Sequence, residues 1–214
     1  MKLYFVRHGK TQWNLEGRFQ GANGDSPLLE TSIAELKELG KYLKEITFDQ
    51  IYSSDLQRAK TTAQILNDAN DHPTTIHYTK VLREWDLGNL EGQKISLVSA
   101  IYPKQMNAFR HNLAQFDNSM FNAESVYSVT QRISQFVKNL RNEKAQNILL
   151  VGHGAVLTAS IQYLLGYNQA QLRRKGGLNN ASVTILETKD FEHFDLITWN
   201  DTSYQEKMIA QIML

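Results

Sequence analysis

Residues 147–154 read NILLVGHG. The run Ile148-Leu149-Leu150-Val151 is apolar at every position rather than at alternate ones. That is the pattern of a strand covered on both faces, as in a parallel sheet. The strand ends by delivering His153 between two glycines. The same arrangement stands at the amino terminus, where KLYFVRHG (2–9) carries a short apolar run, predicted as a strand over 2–6, into Arg7-His8-Gly9. In open α/β sheets ligands bind beyond the carboxyl ends of the strands. Two buried strands that each end in a histidine beside glycine therefore point to one shared site.

The remaining chain alternates strand and helix. Residues 32–46 place Ile33, Leu36, Leu39, Tyr42, Leu43 and Ile46 at helical spacing. DQIYS (49–53) predicts a second strand, with Ser54 or Asp55 capping a helix to about residue 69. Further strands are expected at 76–79, 183–186 and 196–199, and further helices at 125–140 and 155–165. This alternation predicts an α/β fold, a three-layer α/β/α sandwich around a mostly parallel central sheet. The stretch at about 92–125 is interrupted by Pro103 and bears Tyr102, Phe109, Phe116 and Phe121. It reads as a helical insertion over the C-terminal strand edge, within a single domain spanning 1–214.

Composition narrows the function. The 23 basic and 22 acidic residues nearly cancel, with no basic block of the kind that binds nucleic acid. The absence of cysteine excludes disulfides, a thiol nucleophile and cysteine zinc sites. No window approaches the ~20 apolar residues of a membrane span, and the apolar run after Lys2 is too short for a secretion signal. The expected location is the cytoplasm, and a homodimer is left open. Gly9-Lys10-Thr11 resembles the end of a Walker A loop, but Tyr4 stands where that motif needs its first glycine. No GxSxG elbow and no HExxH pair occurs, and His72 and His77 are too far apart for one helical metal face. No metal and no cofactor are expected.

Arg58 lies in the first turn of the helix after the second strand, at the same sheet edge as Arg7, His8 and His153. Two arginines and two histidines make a cationic pocket, and guanidinium forks match phosphate oxygens. The helix opening after His153 is expected to add its N-terminal N–H groups. The expected ligand is a phosphoryl group on a small substrate. A neutral imidazole can attack phosphorus and form phosphohistidine. The proton donor for the leaving oxygen is sought in LREWDLGNLEG (82–92), where Glu84 is the first candidate and Asp86 and Glu91 are rivals.

Together, RHGKTQWN (7–14), SSDLQRAKTTA (53–63), LREWDLGNLEG and VGHG (151–154) resemble the motifs of the histidine phosphatase superfamily, the phosphoglycerate mutase-like family. The resemblance implies that His8 is the phosphorylated nucleophile and Glu84 the proton donor. It implies a phosphate pocket of Arg7, Arg58 and His153, with Asn14, Gln20, Gly21 and Gly154 as substrate-binding positions. Ala22 stands where the family often has tryptophan, Ser32 where it often has glycine, and Ala123-Glu124-Ser125 replaces a common Gly-Glu-Ser. The segment after Glu84 lacks the basic stretch of the mutases. Its aromatics, with Lys104 and Arg110 as the nearby cations, point to an apolar pocket. The expected activity is a metal-independent phosphomonoesterase acting on small phosphorylated metabolites. The alternative is a phosphoglycerate mutase-type phosphotransferase, with a catalytically inactive phosphate-binding protein behind both.

Overall fold

The computed structural model describes residues 1–142 and 145–205. Its centre is a sheet of β1 (Lys2–Arg7), β2 (Gln50–Ser54), β3 (Ile76–Thr79), β4 (Asn147–Gly152), β5 (Val183–Glu187) and β6 (Asp195–Asp201). The order is β3-β2-β4-β1-β5-β6. The first four strands of that order run parallel, and β5 and β6 add two antiparallel pairings at the far edge. The expected α/β class and mostly parallel sheet are what the chain adopts.

The helices are α1 (Gln12–Leu15), α2 (Glu30–Leu43), α3 (Gln57–Asp68), α4 (Ile95–Ile101), α5 (Pro103–His111), α6 (Val126–Asn139) and α7 (Gly154–Leu164). Alternation along the central strands divides the core between the two faces of the sheet. Leu3, Phe5, Ile148 and Leu150 join α6, α7 and the 95–121 segment in one cluster. Tyr4, Val6, Leu149 and Val151 join α2 and α3 in the other. Every residue of these runs is thus claimed by one core or the other, which explains the unbroken apolar pattern. Pairing of β1 with β4 sets Arg7 opposite Gly152. The next residues, His8 and His153, therefore leave the sheet side by side.

Three local expectations need correction. Tyr42 is 43% exposed and Ile46 lies beyond the end of α2. The inner face follows Leu36, Leu39, Gly40 and Leu43, with Gly40 placed so close to α3 that a side chain there would strike Ala69. Neither Ser54 nor Asp55 caps α3 in the expected way. The residue before it is Leu56, and the capping carboxylate is Asp25, which accepts from Gln57 N at 2.5 Å and Arg58 N at 3.4 Å. Asp55 turns instead to Arg83, pairing with its Nε at 2.6 Å and Nη2 at 2.8 Å. Pro103 does more than interrupt: it opens α5, where a missing N–H removes no helical bond.

Candidate active site

β1 and β4 place the two imidazoles with ring centroids 5.1 Å apart. His8 Nδ1 lies 2.6 Å from Gly9 O. A carbonyl only accepts, so Nδ1 carries the proton and Nε2 keeps its lone pair. Burial, reinforced by the Arg58 and Arg7 charges, pushes the His8 imidazole well below its ordinary value despite that hydrogen bond. The ring is therefore neutral at physiological pH. His153 is depressed in the same way, by burial first and then by Arg58. Its tautomer is the opposite one. Nδ1 accepts from Arg58 Nε at 3.1 Å, which leaves Nε2–H to donate to Ser54 Oγ at 2.8 Å.

Arg58 is buried at the head of α3, and the loop after Gln20 wraps it. Nη1 donates to Gly24 O at 2.6 Å and to Asp25 Oδ1 at 3.1 Å, while Nη2 donates to Gly21 O at 2.9 Å. With the bond to His153, four of its five N–H groups have protein partners. The bidentate fork expected for phosphate is thus largely engaged with protein groups. Arg7 differs. Nη1 donates to Leu178 O at 2.6 Å, but its buried Nε has no partner among the described residues. Burial lowers Arg7 to about 10, with the Glu84 carboxylate opposing, so it stays charged. Gly154 gives Arg7 its room: a Cβ there would stand 2.9 Å from Nε.

Glu84 is buried and accepts three backbone N–H groups. Oε1 takes Trp85 N at 2.8 Å and Val156 N at 2.7 Å, and Oε2 takes Ala155 N at 2.8 Å. The N-terminal N–H groups of α7 expected to meet the ligand are therefore held by Glu84. One lone pair on Oε2 is left. Glu84 shares the wall of a cavity of about 440 Å³ with Arg7, Asn14, Gln20 and Gly154. Asp86 and Glu91 are absent from that wall, and so are the buried side chains of His8, Arg58 and His153. Asp86 holds Asn23 Nδ2 at 3.1 Å, and Glu91 holds Gly21 N at 3.1 Å. The structure separates the three carboxylates that the sequence left open.

The other expected positions are close by. Asn14 Oδ1 accepts from Thr11 N and Asn180 Nδ2, both at 3.2 Å. Gln20 is committed to protein, donating to Thr11 Oγ1 at 3.0 Å and accepting from Ser26 N at 2.8 Å and Ser26 Oγ at 2.6 Å. Gly21 has no room for a side chain, which would collide with the Glu91 carboxylate and the Trp85 carbonyl.

Several residues escape the sequence reading. Asn180 Nδ2 reaches His8 O at 3.1 Å, and Thr62 Oγ1 accepts Gly9 N at 3.1 Å, so both fix the backbone around His8. Arg132 clamps the segment bearing Glu84 through the carbonyls of Val81, Arg83 and Glu84, itself held by Glu124. The pocket is also less apolar than expected. Lys104 is absent from its wall, while Arg18, Arg110, His111 and Arg173 are on it. The aromatic residues of 95–121 mostly pack on one another, Phe116 on Phe109 at 5.0 Å and on Phe121 at 5.9 Å. Phe109 alone of the four expected aromatics lines the cavity. Among the described residues no three histidine or carboxylate side chains converge as a metal site. No described helix is long and apolar enough to cross a membrane.

The sequence model of the histidine phosphatase superfamily (branch 1) matches residues 3–202. The chain belongs to that superfamily. It is 30% identical over 193 residues, 89% of this chain and 86% of the relative, to a probable phosphoglycerate mutase GpmB of Salmonella paratyphi A. Among solved structures it resembles YhfR of Bacillus stearothermophilus, with TM-score 0.84 and 29% identity over 95% of this chain and 98% of that one. It also resembles a mycobacterial glucosyl-3-phosphoglycerate phosphatase solved with VO3, with TM-score 0.85 and 28% identity over 94% and 99% of the two chains. The alpha-ribazole phosphatase of Shigella flexneri gives TM-score 0.79 and 25% identity over 94% and 96%.

Proposed function

We propose that the protein is a metal-independent phosphomonoesterase that hydrolyses small phosphorylated metabolites through a phosphohistidine on His8. The observation that carries this reading is the state of His8: neutral, with Nδ1 tied to Gly9 O and the Nε2 lone pair left for attack. In the first step Nε2 bonds to phosphorus as the ester P–O bond breaks. Glu84 Oε2 passes to the leaving oxygen the proton that the substrate's phosphate monoanion brings into the site. In the second step water attacks phosphorus, Glu84 takes the water's proton, and the N–P bond breaks to restore His8. The charged Arg7 guanidinium lines the cavity with Asn14 and offers donors to a phosphoryl oxygen. Arg58 holds positive charge behind the phosphoryl position, fixed there in part by its hydrogen bond to the neutral His153, and such preorganised charge stabilises the charge that develops on the phosphoryl oxygens. The cavity volume suits a small ligand. The phosphatases named among the structural relatives support hydrolysis.

A second reading, phosphoryl transfer between hydroxyls of a phosphoglycerate, is favoured by the name of the curated relative. One assay distinguishes them. Phosphate release from p-nitrophenyl phosphate in EDTA supports the phosphomonoesterase. Isomerised phosphoglycerate without phosphate release supports the mutase. Phosphate binding without turnover of either compound contradicts both.

A further inference from the structure

Glu84 is held from behind by an ion pair that is not on the wall of the main cavity. The segment from Val81 to Asp86 passes from β3 through a short turn at Lys80–Leu82 and belongs to no strand. Its carbonyls must find partners outside the segment. Arg132, on α6, supplies them. Nη1 donates to Val81 O at 2.5 Å and Arg83 O at 2.8 Å, and Nη2 donates to Glu84 O at 3.1 Å. The other two donors go to Glu124, Nε to Oε1 at 3.0 Å and Nη2 to Oε2 at 3.1 Å. All five N–H groups of this guanidinium are therefore engaged, three of them on the backbone that carries the acid.

Glu124 fastens the residues that follow. Its Oε2 accepts from Asp86 N at 3.3 Å, its own N–H donates to Asp86 O at 2.8 Å, and its carbonyl accepts from Trp85 Nε1 at 2.6 Å. Trp85 N is in turn one of the three N–H groups that grip the Glu84 carboxylate. One ion pair thus fixes the chain on both sides of Glu84. Glu84 is the one described residue that lines both the main cavity and a second cavity of about 470 Å³, and Glu124 and Arg132 line only the second. The two side chains keep some solvent access, 21% for Arg132 and 17% for Glu124, and an ion pair so placed adds little to stability. A displaced catalytic group is more costly, since a shift of ~1 Å can lower a rate ~100-fold.

We propose that Arg132, locked by Glu124, is a positioning residue for proton transfer through Glu84. Substrates whose leaving oxygen must be protonated depend on it, and binding of the phosphoryl group does not. This rests on the reading of Glu84 as the acid. The test compares kcat/KM for propyl phosphate and p-nitrophenyl phosphate, together with vanadate affinity, in wild type, Arg132→Lys, Glu84→Gln and the double variant. Lysine keeps the charge but has three donors for five acceptors and no planar fork. In Arg132→Lys the ratio of p-nitrophenyl to propyl phosphate turnover should rise at least 10-fold, with vanadate affinity within threefold of wild type. Added to Glu84→Gln, the same substitution should change that ratio less than twofold, because the group it acts through is already gone. Glu124→Gln, which keeps the size of the side chain and loses its charge, should raise the ratio as well and serves if Arg132→Lys does not fold. A ratio unchanged in both variants, or one that rises as much with Glu84→Gln present as without it, overturns the positioning role alone. Equal slowing of the two substrates by Glu84→Gln overturns the acid reading and the positioning role together.

Discussion

At the scale of single residues, the site depends on imidazoles kept neutral beside guanidinium groups kept charged. His8 and His153 both have folded-state values below the ordinary 6.5. The native state therefore binds fewer protons than the unfolded chain once pH falls below about 6.5, and stability must fall with it. Each histidine contributes a slope of about 1.4 kcal/mol per pH unit, so the pair contributes about 2.7, over the window from about 6.5 down to the folded values. His193, raised by Asp190, acts in the opposite direction on the surface. Denaturant midpoints measured from pH 7.5 to 5.5 should fall, and more steeply for wild type than for His8→Ala. A flat profile would mean that the imidazoles accept protons in place.

Glu84 makes a second prediction at this scale. The Glu84→Gln amide cannot donate the proton assigned to Oε2. Phosphoenzyme formation should slow by at least 100-fold with alkyl phosphates, whose alkoxide needs protonation, and far less with p-nitrophenyl phosphate. Rapid-quench bursts with both substrates check this. Equal slowing would move the acid role away from Glu84.

Between elements, the decisive contacts are long-range, and this is where the sequence was hardest to read. The ends of β1 and β4 were legible because a continuous apolar run has few alternatives to a doubly covered strand, and each run stops on a histidine. The cap of α3 was not legible. Its donors are satisfied by Asp25, a residue separated from them by the whole of α2 and β2. The same carboxylate meets Arg58 Nη1 at 3.1 Å. Asp25→Ala should cost about 1–2 kcal/mol of stability from the lost cap. It should also lower activity, because Arg58 loses one of the groups that aim it at His153. Denaturation and kcat/KM on the same preparation check both parts. Activity at the wild-type level despite lost stability would show that the cap and the arginine are uncoupled. Arg173 escaped for a related reason. In LRRKGG it looks like one more surface cation, and only the packing of Phe109 beneath it shows otherwise.

For the molecule as a whole, the parallel register of β1 against β4 brings two histidines that are far apart in the sequence to one sheet edge. The remaining architecture surrounds that edge: α3 supplies Arg58, the segment after β3 supplies Glu84, and the segments after α7 supply Arg173 and Asn180. The helices of 95–121 close the cavity with Phe109 and Arg110. The sequence revealed the sheet and which residues gather at its carboxyl edge, but the character of the cavity mouth arises from side chains that meet only in the folded chain. The central claim is covalent transfer to His8. Its most direct measurement is mass spectrometry of wild-type protein quenched in base during turnover of p-nitrophenyl phosphate in EDTA. Covalent transfer predicts an acid-labile, base-stable phosphate on the peptide bearing His8, formed at least as fast as product and absent from His8→Ala. Turnover without that adduct, or an adduct that persists in His8→Ala, would contradict it.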